Sequence, residues 1–89
     1  METVFDFGEK KIVKILVKNL KNDPFTILNA KYELIGEFST EPEASGDADI
    51  IEHTISALIE PKEHCDYDLR FIYHIGVETL VDIVKVKMR

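Results

Sequence analysis

The chain is poor in the residues that staple, anchor or charge a protein for nucleic acid. Cys65 is its single cysteine, so no disulfide can form within it, and the chain reads as built for a reducing compartment or a particle assembled in one. No apolar run approaches the roughly 18–20 residues that a membrane helix needs. No apolar run follows a basic segment at the N-terminus, so no secretory signal is expected and synthesis and folding are expected in the cytoplasm. Basic residues are outnumbered: 11 Lys and Arg face 17 Asp and Glu, a net charge of −6. Phosphate contacts need clustered Lys and Arg, so nucleic acid is not an expected partner, and the charge reads as solubility. Motifs of catalysis are also lacking. There is no Gly-rich phosphate loop, no His-Glu-x-x-His, no Cys-x-x-Cys and no Ser between glycines. No catalytic, cofactor-binding or metal-binding residue is therefore assigned, and no cofactor is expected.

What is present is alternation. In residues 65–76, Tyr67, Leu69, Phe71, Tyr73 and Ile75 occupy every second position. Asp66, Asp68, Arg70, Ile72 and His74 lie between them, the period of a strand with one face in a core. Gly76-Val77-Glu78 turns the chain, and Leu80, Val84, Val86 and Met88 resume the pattern. This predicts a C-terminal hairpin that lines half of a core. With 89 residues, 45% hydrophobic and 31% charged, the chain reads as one soluble domain over residues 1–89. A domain of that size buries only about 60–65% of its unfolded surface, so the core is thin.

Upstream, residues 3–7 predict an edge strand ended by Gly8. Residues 10–18 predict a strand with Val13, Ile15 and Val17 on one face and Ile12, Lys14, Leu16 and Lys18 on the other; β-branched residues favour the pleat. Asn19 to Pro24 is a turn cluster broken by Asp-Pro. Residues 25–35 form the next strand, with Leu28, Ala30, Tyr32 and Leu34 alternating. Phe25 and Ile27 are out of phase, which predicts a bulge near Ile27 and Leu28. Residues 36–49 read as an acidic loop with at most a short strand through Phe38. Residues 50–60 admit two readings. As a helix, Ile50, Ile51, Thr54, Ile55, Leu58 and Ile59 share a stripe, with Asp47 as cap and Pro61 past the end. As a strand, Ile51, His53, Ile55, Ala57 and Ile59 alternate. The regular spacing of the other strands favours the strand, which a two-layer sandwich needs to close its sheet.

The densest reactive cluster is His64-Cys65-Asp66, a metal half-site or activated thiol in one reading and turn residues with a small apolar filler in the other. Neighbours on a strand point to opposite faces, which favours the second. His53 and His74 join it only if the fold gathers them. Glu41, Glu43, Asp47 and Asp49 offer oxygen ligands for a hard cation, but without EF-hand spacing; a solvated loop is the simpler reading. Lys10, Lys11, Lys14, Lys18 and Lys21 make a basic face that guards an edge or meets a partner. Phe25, Tyr32, Tyr67, Phe71 and Tyr73 read as core aromatics. Tyr67 also stands where a corner tyrosine ties sandwich connections through its hydroxyl.

In order, Lys11-Ile12-Val13-Lys14-Ile15-Leu16-Val17, Ala30-Lys31-Tyr32-Glu33-Leu34, Ala48-Asp49-Ile50-Ile51, Ser56-Ala57-Leu58-Ile59-Glu60-Pro61, Tyr67-Asp68-Leu69-Arg70-Phe71-Ile72-Tyr73 and Val84-Lys85-Val86 resemble small immunoglobulin-like modules, those of bacteriophage tail and baseplate proteins above all. The resemblance implies an antiparallel β-sandwich of about seven strands with a structural or adhesive role and no catalytic residues. The chain departs from antibody domains in lacking their two cysteines and strand tryptophan, and from the phage proteins in being a single module. The expectation is a non-enzymatic structural or protein-binding module, cytoplasmic or assembled into a virion. Its partner is a protein or a second copy, met through a sheet edge or end loops. The alternative is a small α+β ligand- or metal-binding protein, with a helix at about 48–60 and His64 and Cys65 near a pocket.

Overall fold

β-branched and aromatic residues at every second position drive this chain into strands, and the computed structural model, which describes residues 1–18 and 24–89, contains eight of them. They are β1 (Glu2–Phe5), β2 (Lys11–Leu16), β3 (Ile27–Gly36), β4 (Ala44–Asp47), β5 (Asp49–Ile51), β6 (Thr54–Ile59), β7 (Tyr67–Ile75) and β8 (Glu78–Met88). Most of the expected turn cluster, and Lys21 of the basic face, lie outside the described residues.

The strands form two sheets, one of five in the order β1-β8-β7-β3-β4 and one of three in the order β2-β6-β5. They pack face to face as an all-β sandwich. Between them lies one cluster of buried apolar side chains. β7 supplies Tyr67, Leu69, Phe71 and Tyr73, and β8 supplies Val84 and Val86. The facing sheet contributes Val13 and Ile15 from β2 and Ile55, Ala57 and Ile59 from β6. Each fully buried apolar side chain of this size contributes about 1.5–3 kcal/mol over its exposed state.

Several expectations meet corrections. The favoured strand reading of residues 50–60 holds and the alternative helix at about 48–60 is absent: no helix occurs among the described residues, and none is long and apolar enough to cross a membrane. Residues 50–60 are not one strand, however. β5 and β6 form a hairpin with Ile51 opposite Thr54, turned by Glu52 and His53. Glu52 takes φ 54°, a left-handed conformation that costs a non-glycine residue about 1–2 kcal/mol. The acidic loop is shorter than expected, because Ala44–Asp47 pair with β3 as β4. This accounts for an eighth strand. After β4 the chain crosses to the other sheet through Ala48 alone, whose N–H bonds the Ala30 carbonyl at 2.9 Å.

The pairing is not antiparallel throughout, since β1 runs parallel to β8, with Glu2 opposite Lys85 and Phe5 opposite Met88. The predicted bulge is present: the β3–β7 register shifts between Ile27 and Asn29. It turns Ile27 into the core with Ala30 and Leu34 and leaves Leu28 exposed, so Leu28 does not belong to the core face assigned to it. Phe38 lies in a turn rather than a strand. The β7–β8 turn is tighter than expected. Gly76 and Val77 alone make it, Ile75 facing Glu78 across it, and Gly76 at φ 59° supplies the left-handed residue it requires.

Candidate functional site

The segments joining β3 to β4 and β6 to β7 meet at one end of the sandwich and enclose an open groove of about 600 Å³. Gly36, Phe38, Ser39, Glu41, Pro42 and Glu43 line it from the first segment; Glu63, His64, Cys65 and Tyr67 line it from the second. The fold thus brings Glu41 and Glu43 of the acidic loop beside His64 and Cys65, two groups picked out separately in the sequence. Asp47 and Asp49 are left outside it, in β4 and β5.

Tyr67 holds the groove together. Its ring enters the core at the start of β7 and is 2% exposed. Its hydroxyl accepts the Glu63 N–H at 2.9 Å and donates to the Glu43 carboxylate at 2.6 Å. The other Glu43 oxygen accepts the Lys62 N–H at 3.0 Å, while the Glu43 N–H bonds the Leu34 carbonyl at 2.8 Å. One tyrosine and one carboxylate therefore lock the two segments. Burial, then the hydrogen bond to the Glu43 anion, pushes the Tyr67 hydroxyl well above the usual tyrosine range. Next to it, Asp66 is held below the usual carboxylate range, chiefly by the Met88 N–H it accepts and then by Lys87.

The reactive groups here have structural occupations. The Cys65 thiol is half-buried against the core, and its Sγ lies where a Cβ on Gly36 would sit 3.5 Å away. The His64 ring packs on Phe7, centroids 5.4 Å apart. The fold does not gather the histidines. His53 sits in the β5–β6 turn, stacked on Phe25 at 3.9 Å with its Nε2 at 3.1 Å from the Phe25 carbonyl. His74 lies on β7, bonded through Nδ1 to Thr79 at 3.0 Å. Among the described residues, no group of three or more His, Cys, Asp or Glu side chains is placed to hold a metal ion. A smaller depression of about 390 Å³ includes Asp66, Asp68, Lys85 and Lys87. Those charges are spent on each other, in the pairs Lys85–Asp68 at 2.7 Å and Lys87–Asp66 at 3.4 Å.

The large apolar side chain that the groove offers solvent is Phe38, 89% exposed, with Glu41 on the same loop. The sequence reading, a loop with at most a short strand through Phe38, does not single this residue out as an exposed tip. The available signal was a lone aromatic between Glu37 and Ser39 in an otherwise polar segment. No family model, curated protein or solved structure matches this chain.

Proposed function

We propose that this chain is a non-enzymatic, immunoglobulin-like structural or protein-binding module, made in the cytoplasm and assembled into a phage-type particle. It meets its protein partner through the end loops around Phe38. The observation that carries the binding role is an exposed aromatic on a loop braced from beneath. A rigid aromatic anchor loses little entropy on docking and buries a large area, which is why such residues dominate interface energetics. Glu41, Glu43 and Glu63 give the groove an acidic rim, so the matching surface is basic around an apolar pocket.

The immunoglobulin-like part is supported by connectivity. The three-stranded sheet β2-β6-β5 shares one core with the five-stranded sheet, in which β8, β7 and β3 are neighbours and the first strand runs beside the last. A tyrosine at the β6–β7 corner also bonds back to the backbone four residues upstream, as in the tyrosine corner of such sandwiches. The α+β alternative has lost its helix.

The test is assembly. A tagged chain produced in its natural host is fractionated with assembled particles on a density gradient. Co-sedimentation at a fixed ratio is expected, lost on Phe38→Ala and weakened by Glu41→Lys. A chain that stays at the top of the gradient and turns over a small molecule would sink the proposal.

A further inference from the structure

Among the described residues, most strand edges of this sandwich are short or guarded, and the longest stretch with neither a partner strand nor a guard lies on β8. β2, an edge of the smaller sheet, carries Lys11 and Lys14. β4 and β5 are four and three residues long, and the chain leaves one sheet for the other between them. β1 is four residues long, and the Lys11 ammonium caps its outward Val4 carbonyl at 2.7 Å. Short strands, inserted lysines and capped carbonyls are the devices that stop sheets from adding strands.

β8 differs. β7 pairs it on one side from Glu78 to Val86. On the other side β1 covers only Lys85 to Met88. Among the described residues no strand pairs with the outer edge of residues 78–84. The Lys85 N–H points toward β1, bonding the Met1 carbonyl at 2.9 Å. Backbone groups alternate sides along a strand, so the N–H and C=O of Thr79, Val81 and Ile83 point the same way, onto the open edge. This segment, Glu78-Thr79-Leu80-Val81-Asp82-Ile83-Val84, has no lysine, proline or bulge. Its outward side chains Val81 and Ile83 are each 44% exposed. Asp82, its one charge besides the terminal Glu78, is engaged by the Tyr73 hydroxyl at 3.0 Å.

We propose that this edge pairs with the same edge of a second copy, joining two five-stranded sheets through an antiparallel β8–β8 contact. The open segment ends at the Gly76–Val77 turn on one side and at the start of β1 on the other, and its midpoint is Val81. A twofold axis at Val81 therefore pairs the segment with itself. Val81 meets the second copy's Val81, and Thr79 meets Ile83. These are the residues with open N–H and C=O groups, so each finds a bonding partner. The same register sets Asp82 opposite Leu80 and Glu78 opposite Val84, with no like charges facing. A shift of the axis to Asp82 would face two aspartates across the seam, which disfavours it. On the outer face, Ile72, the β7 partner of Val81, extends the valine pair into an apolar strip across both copies. The contact uses none of the end-groove residues, so it stands apart from the proposed partner site.

Sedimentation of the full chain should reveal a dimer, and Val81→Lys should weaken it by at least about tenfold, because the twofold axis sets two like charges opposite each other. Val81→Glu should do the same. Mixing the lysine and glutamate variants should restore a heterodimer, which also establishes that both variants fold. Leu16→Lys, on the β2 edge, should leave the dimer intact. In a mixed-label sample, a cross-peak between Leu80 Hα of one copy and Asp82 Hα of the other fixes the register. A monomer at all concentrations overturns the proposal and leaves the end-loop reading to its own test. So does a dimer insensitive to both Val81 variants, or a mixture that fails to reassociate.

Discussion

Tyr67 is the residue whose loss should be felt most at the groove. Its hydroxyl satisfies a backbone N–H and a carboxylate at once, and Phe in its place fills the core while orphaning both. Hydrogen bonds to charged groups are worth about 1.5–3 kcal/mol, and Tyr67→Phe should cost that much in urea unfolding. Adding Glu43→Gln should cost little more, because the two side chains act as one tie. Tyr73 sets a pH limit. Burial, then its bond to Asp82, pushes its hydroxyl up to about 12, and Tyr67 moves in the same direction. The fold holds these protons more tightly than the unfolded chain, whose tyrosines titrate near ~10. Their contribution is therefore complete below pH ~10 and declines as pH rises toward ~12. Urea midpoints at pH 9 and pH 11 should differ, and Tyr73→Phe should shrink the difference. Glu52 is strained where Tyr67 is satisfied. Glycine accepts φ 54° freely, so Glu52→Gly should stabilise the protein by up to about 1 kcal/mol, read as a Tm a few degrees higher.

At the scale of elements, β1 hangs on a single core anchor. It has four residues and one fully buried side chain, Phe5, and its ring carries the Lys11 ammonium at 4.3 Å from the centroid. Phe5→Ala should cost about 3–5 kcal/mol and release the strand. The amides of Lys85 and Arg89, bonded to the Met1 and Phe5 carbonyls, should then exchange with solvent much faster, while Leu69 stays protected. Unchanged exchange at Lys85 would show that β1 is held by its backbone alone. Across the five-stranded sheet, outward side chains pair by charge. Arg70 faces Glu33 at 3.2 Å and Lys85 faces Asp68 at 2.7 Å. Half-exposed pairs of this kind are worth at most about 1 kcal/mol each, so they set register more than stability.

For the molecule as a whole, the order of pairing is non-local. The first strand pairs with the last, β2 with β6 and β3 with β7. Loop closure must precede these contacts, so refolding should take milliseconds to seconds, followed by far-UV circular dichroism after denaturant dilution. Microsecond refolding would mean that local hairpins dominate the barrier.

Residue chemistry alone determined the strand character of most of the chain. The period of two in β2, β7 and β8 is written into Val13, Ile15, Tyr67, Leu69, Phe71, Tyr73, Val84 and Val86, and those side chains are the buried ones. The bulge at Ile27 was legible because two apolar phases collide there, and the corner role of Tyr67 because its place in a sandwich calls for it. Residues 50–60 were legible only in part: the regular strand spacing favours strand, as found, but local pattern does not. Ile50, Ile55, Leu58 and Ile59 fit a helical stripe as well as a strand, and only the pairing of β6 with β2 decides between them, by placing Ile55, Ala57 and Ile59 against the core and Leu58 outside. Ala44–Asp47 carry no strand signal at all; the free edge of β3 makes them β4. The groove was legible only in pieces, since residues 24 apart in sequence meet there through the Glu43–Tyr67 bond. The open edge of β8 was not legible at all. It exists because β1 is shorter than β8 and lies beside only its last residues, a fact of tertiary register that no local pattern contains.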